Sequence, residues 1–213
     1  SPRNDVTPFF SRRIGISGGK QIPINSGAKL SGQIGNYEIG FIQTQTRSID
    51  NIKGENFSVA RVKRPFLKQS YLGLLLTDRS ARDGDIDSLS LDQTLYGADL
   101  ELKTSEFLGD KNLQFQSFFV FHSAPMFNND LSISDLSTRG LRITYPNDII
   151  RTHVSYREFG DMYSPSLGFS RRNGFKRIQP SFSYNPRPQK FDFIRQIEIG
   201  ISYENMTDLN DRM

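Results

Sequence analysis

Period-two alternation, aromatic richness under a polar average, and connections that alternate short with long predict an all-β chain. The expected fold is an antiparallel up-and-down transmembrane β-barrel of about ten strands, as part of a larger barrel. The clearest stretch is Thr94 to Ser123. In its first arm Tyr96, Ala98, Leu100 and Leu102 alternate with Gly97, Asp99, Glu101 and Lys103, which gives one apolar and one charged face. After the polar turn Gly109-Asp110-Lys111-Asn112, Leu113, Phe115, Phe119 and Phe121 oppose Gln114, Gln116 and His122. Each arm is about ten residues, enough to cross a bilayer as a tilted strand.

The composition agrees with that pattern. Hydrophobic residues make up 36% and mean hydropathy is -0.50, yet aromatics reach 12%, with seventeen Phe, eight Tyr and no Trp. Strands apolar on one face only produce such an average, and so many aromatics argue against a disordered chain. No apolar run is long enough for a transmembrane helix, which barrel strands do not need. Without cysteine there is neither disulfide nor thiolate chemistry. Net charge is +4 with a pI near 9.3, and the 27 basic residues are dispersed among 23 acidic ones. That dispersal predicts solvated faces or a polar lumen and no nucleic-acid partner. Ser1 is not followed by a basic and apolar leader.

Residues 1–27 read as an irregular lead-in and residues 28–213 as the barrel segment. Gly18-Gly19-Lys20 is followed by Gln21 and lacks the glycine spacing of a phosphate loop. Strand pairs then follow. Ala28 to Ile34 turns through Gly35-Asn36 into Tyr37 to Thr46, Phe57 to Arg64 links through Pro65 to Gln69 to Asp78, and the Thr94 hairpin is third. Thr138 to Tyr145 pairs with Ile149 to Glu158, and Gly174 to Tyr184 with Asp192 to Glu204 across Pro186-Arg187-Pro188. Outer-membrane barrels keep short turns on one side and long loops on the other, whereas a soluble sandwich has no reason to. Near Phe57 to Arg64 and Phe118 to Val120, apolar residues fall on both faces.

No catalytic constellation stands out. His122 and His153, the only histidines, fall on the polar face and read as lumen residues bonded to neighbouring side chains. Asp83, Asp85 and Asp87 resemble the start of a calcium loop, but the twelfth position is Thr94 where a Glu is required, so a solvated loop is the default and no metal is assigned. Ser11-Arg12-Arg13-Ile14-Gly15 is echoed by Ser170-Arg171-Arg172-Asn173-Gly174. Arg12, Arg13, Arg171 and Arg172 are candidate anchors at a barrel mouth, either for loop carboxylates of the same chain or for acidic sugar or lipopolysaccharide phosphate.

Phe9-Phe10-Ser11-Arg12-Arg13-Ile14-Gly15, Ala28 to Gly35, Phe57 to Arg64, and Ser164-Pro165-Ser166-Leu167-Gly168-Phe169-Ser170-Arg171-Arg172 resemble the DUF5916 family of envelope proteins of Bacteroidetes and related bacteria. The resemblance implies a β-barrel of unknown function that follows an N-terminal carbohydrate-binding family 9-like domain. It implies that this domain and the first barrel strands precede Ser1, and that further strands follow Met213. Some members are labelled membrane-associated hydrolases, a label no residue here supports.

The expected function is that of an outer-membrane β-barrel segment serving glycan-related uptake or transport across the bacterial outer membrane, with no enzymatic step in this segment and no cofactor. Its partners would be outer-membrane lipid and a glycan or lipopolysaccharide. The lumen would be lined by Lys29, Gln33, Asp99, Glu101, Lys103, Gln114, Gln116, Arg151, His153, Arg157 and Glu198. The alternative is a soluble or surface-attached β-rich carbohydrate-binding module, with its aromatics gathered on one concave sheet.

Overall fold

The computed structural model describes residues 6–17, 19–49, 52–81, 92–123, 131–188 and 195–210. The lead-in consists of short elements: β1 (Val6–Thr7), a 3-10 turn at Ser11–Arg13, and a hairpin of β2 (Ile16–Ser17) and β3 (Lys20–Gln21). Gly19-Lys20 therefore belongs to a hairpin. Nine strands follow, eight of them ten residues or longer: β4 (Ile24–Ile34), β5 (Tyr37–Thr46), β6 (Glu55–Phe66), β7 (Ser70–Ala81), β8 (Gln93–Phe107), β9 (Lys111–His122), β10 (Ser137–Pro146), β11 (Ile150–Phe159) and the two-residue β12 (Phe169–Ser170). The chain ends through β13 (Phe175–Tyr184), β14 (Ile199–Ser202) and β15 (Asn205–Thr207).

Each long strand pairs antiparallel with its sequence neighbour, which makes one up-and-down sheet of eleven strands from β4 to β13, with β14 and β15 both on β13. β12 stands apart and pairs β1. The sheet is open. β4 forms one edge and β14 with β15 the other, and among the described residues the two edges do not pair, so the sheet is not closed as a barrel. The short turns join β4 to β5, β6 to β7, β8 to β9 and β10 to β11, and all project from one end of the sheet. Two of them place a leucine at positive φ, Leu67 and Leu108, where the tight reversal prevails over the side chain's preference.

The last hairpin differs from expectation. The expected start of the last strand, Asp192, lies outside the described residues; described residues 195–198 are in no strand, β14 begins at Ile199, and pairing runs to Thr207 where Glu204 was expected to end it. β14 and β15 hold one register against β13, since Ser202 opposes Ser181 and Asn205 opposes Ile178. The interruption lies opposite Pro180, which has no N–H to donate to the ladder.

The two faces of the sheet have inverted polarity. On β7, Leu72, Leu74 and Leu76 are exposed while Thr77 between the strands' other faces is only 1% exposed. Cross-strand register extends the pattern: Leu74 opposes Val62 and Ala98, and Ile143 opposes Phe115 and Val154. This outward face carries Leu30, Phe41, Leu141, Phe182 and Ile201, all exposed. Toward the long loops it turns polar at Ser58, Asp78, Thr94, Arg139 and Glu158. Outward aromatics Tyr37, Phe107, Tyr145 and Tyr184 sit next to the short connections, with Phe107 edge-on to Tyr145 at 6.4 Å. On β8 the outward apolar positions run from Tyr96 to Leu102, about 20 Å of strand at 3.3 Å per residue.

Candidate functional site: the concave polar face

The opposite, inner face is concave. It encloses a cavity of about 420 Å³ bounded by strands β4 to β11 and by Val6, Pro8 and Phe9 of the lead-in. Every residue expected to line a lumen lies on this face. Lys29 and Gln33 share it with Gly40 and Glu38, Asp99, Glu101 and Lys103 oppose Phe118, Gln116 and Gln114, and Arg151, His153 and Arg157 oppose Ser183, Ser181 and Arg177. Glu198 reaches it by accepting a hydrogen bond from Ser183 Oγ at 3.3 Å.

Between β6 and β8 the charges of the inner face form ion pairs. Arg61 pairs with Asp99 across the whole width of β7. The bare backbone at Gly73 leaves room for this reach: a Cβ there would lie 2.8 Å from both Arg61 Cζ and Asp99 Oδ1, so the pair would have to shift. Glu101 accepts from Lys103 Nζ at 2.6 Å, Gln116 Nε2 at 2.5 Å and Gln114 Nε2 at 3.3 Å. Arg79 pairs with Glu55 at 2.7 Å. Asp99 and Glu101 are thus partners of cations in an ion-pair network.

Toward the long loops the inner face becomes apolar, and the chain returns to cover it. Val6, Leu95, Val120, Phe159, Tyr163 and Phe175 form one buried cluster, with Phe118 and Leu75 against it. Phe57, Val59 and Leu167 form a second, joined by Phe9, Ile14 and Ile42. Phe159 stacks on Phe175 at 4.6 Å. The cover has two parts, the lead-in and the loop 160–174, and the β1–β12 ladder joins them, with Phe10 N–H donating to the Leu167 carbonyl at 2.7 Å. Of the stretches with apolar residues on both faces, Phe57 to Arg64 and Phe118 to Val120, the cover packs on Phe57, Val59, Phe118 and Val120.

Two side chains clamp the loop. Gln93 Oε1 accepts from Ser166 N–H at 2.6 Å and its Nε2 donates to the Ser164 carbonyl at 3.0 Å. Buried His122 accepts from Ser164 N–H through Nε2 at 3.0 Å, which leaves Nδ1 to carry the proton toward the Ser123 carbonyl at 2.9 Å. His153 bonds Ser181 Oγ through Nδ1 at 2.5 Å. His153 thus bonds a neighbouring side chain, whereas His122, expected in a lumen, is buried beneath the loop and bonded to its backbone. Tyr163 is 0% exposed, and burial raises its phenol above the ordinary tyrosine range. Its hydroxyl has no hydrogen-bond partner among the described residues.

The two arginine pairs do not converge. The β1–β12 ladder brings their segments together antiparallel, so Arg12 and Arg13 lie beyond one end and Arg171 and Arg172 beyond the other. All four are exposed, and among the described residues none forms an ion pair. Arg12 lies over Phe10 at 6.0 Å and Arg172 over Phe175 at 5.8 Å. Asp83, Asp85 and Asp87 fall outside the described residues, among which no group of three His, Cys, Asp or Glu is placed to hold a metal.

Gln93, Gly73, Arg61 and Tyr163 were not singled out from sequence. For Gln93 and Tyr163 the available signal was the doubly apolar stretches, which mark where something must cover the inner face. No family model, curated protein or solved structure matches this chain.

Proposed function

We propose that this sheet is a wall of an outer-membrane β-barrel, in a chain of the DUF5916 type, with lipid against its outward face and a hydrophilic solute path along its inner face. The inverted polarity supports this reading more than any other observation. Exposed leucine, isoleucine and phenylalanine coat the outward face of the long strands, while arginine, glutamate and glutamine take the sheltered side. In water that arrangement exposes a large continuous apolar surface, which soluble monomers rarely carry. In lipid it becomes the favoured one, bounded at the short turns by an aromatic row. The open edges call for further strands, since a membrane tolerates no unpaired edge. Solute passage related to glycan uptake, without a chemical step, suits an inner face built of ion pairs and amides.

Refolding the chain with and without detergent micelles tests the reading. The expected outcome is ordered β-structure and heat-modifiable gel mobility only in micelles. A monodisperse, folded chain in plain buffer would overturn it in favour of a soluble β-rich module. Leu74→Arg on the outward face should cost about 2–4 kcal/mol in micelles.

A further inference from the structure

The imidazole of His122 joins the sheet to its cover, and its bonds admit one protonation state. The residue is 3% exposed at the end of β9, opposite Leu95, and its backbone N–H donates to the Leu136 carbonyl at 3.2 Å. Nε2 is met by the backbone N–H of Ser164 at 3.0 Å, so it must offer a lone pair. Nδ1 then carries the single proton of the neutral ring, toward the Ser123 carbonyl at 2.9 Å. Gln93 Nε2 stands 3.1 Å from Nδ1, but it is a donor and bonds the Ser164 carbonyl. A second proton on the ring would have to go on Nε2, where it would point at the Ser164 N–H. Two donors would then face each other in a buried site, and the backbone N–H would lose its acceptor.

Among the described residues, the groups packed around the ring are apolar, neutral or engaged elsewhere. From the loop, Tyr163 lies 5.7 Å away between ring centroids, and burial keeps its phenol protonated. From β8 come Leu95 and Gln93, and Arg79 of β7, opposite Gln93, pairs with Glu55 at 2.7 Å. In the neighbouring segments Asp92 accepts from the Ala81 N–H at 2.6 Å, Asp135 accepts from the Ser132 N–H at 2.9 Å, and Asp161 is exposed beside Gly174. The lead-in, β11 and β13 contribute Val6, Phe159 and Phe175.

We infer that His122 is an acid-released latch of the cover: protonation of its ring frees the segment from Tyr163 to Ser166 and uncovers the long-loop end of the inner face. The closed cover takes the neutral ring and the released one takes the cation, so acid favours release. Gly160 and Leu167 bound the freed piece, held through the Ser137 carbonyl and the Phe10 N–H. Val6 and Val120 share a buried cluster with Tyr163 and also line the 420 Å³ cavity, so release opens that cavity toward the long loops. That the opening admits solute rests on the function proposed above, whereas the release rests on the hydrogen bonds alone.

Amide hydrogen exchange of the folded chain, in micelles or buffer according to where it folds, tests the latch. Protection factors are the readout, so that the intrinsic pH dependence of exchange cancels. From about pH 7.5 to about pH 5, the interval in which histidine side chains gain charge, protection at Ser164 and Ser166 should fall about tenfold, the loss of one buried hydrogen bond. Asn112, whose N–H bonds Asn147 between two short turns, should hold steady. His122→Gln should abolish the acid response, and His153→Gln should keep it. The latch falls if protection at Ser164 is the same at both pH values or if Asn112 loses as much. It falls equally if His122→Gln still responds to acid or if His153→Gln no longer does, and the second comparison decides where His122→Gln does not fold. A chain that folds only in micelles and shows no acid response refutes the latch and leaves the barrel standing. One that folds in buffer and releases Ser164 in acid does the reverse.

Discussion

The two ends of the inner face obey opposite rules. At the long-loop end Phe57, Val59, Leu95, Val120, Phe159 and Phe175 point inward and are buried, because the lead-in and the loop 160–174 fold back over them. At the short-turn end the same face carries Gln114, Lys103 and Arg151, none of them buried. A sheet face of this kind tolerates apolar residues where the chain can return to bury them, and charges where water reaches. The cover is therefore integral to the fold of the sheet, and the stability of one end differs in kind from that of the other.

Substitutions should separate the two ends. Phe159→Ala removes a fully buried ring stacked on Phe175 and should cost about 3–5 kcal/mol in denaturant unfolding, whereas Gln114→Ala at the open end should cost under about 1 kcal/mol. Comparable losses at both positions would erase the distinction. Between the ends, Gly73→Val puts a branched side chain where the Arg61–Asp99 pair crosses β7 and should cost about 1–3 kcal/mol. Gln93→Ala should cost about 1–2 kcal/mol and speed amide exchange at Ser164 and Ser166 without altering exchange at the short turns.

The smallest effect is expected at Tyr163, whose buried hydroxyl has no partner among the described residues. Tyr163→Phe should be neutral or stabilising by up to about 1 kcal/mol. Burial holds its phenol protonated in the fold, so the folded-state pKa exceeds the unfolded one. The resulting stability is complete below the ordinary tyrosine pKa of about 10 and declines as pH rises toward the folded value. Unfolding midpoints measured above that pH should fall more steeply for the wild-type chain than for Tyr163→Phe.

The strands were legible because their cause is local. Alternation over ten residues fixes which side chains share a face, and the eleven residues expected on the polar face share it. Turn residues such as Gly35-Asn36 and Asn147-Asp148 placed the hairpins, and so the antiparallel order. The lead-in was not legible, because two-residue strands have no periodicity of their own. β1 exists only through β12, more than 150 residues away in the chain. The end of the last strand was misplaced because Phe193, Ile197, Ile199, Ile201 and Tyr203 alternate only as far as Glu204, while pairing runs on through Asn205 to Thr207 in the register that β13 dictates.

Composition and alternation by themselves determined an all-β chain with one apolar and one charged face. They did not determine what each face meets, since a period of two is the same whichever side is sheltered. The tertiary structure decided that the charged side is concave, that the lead-in and the loop 160–174 close one end of it, and that Arg61 reaches Asp99 over Gly73. These outcomes depend on contacts between residues far apart in the chain, which no local pattern encodes.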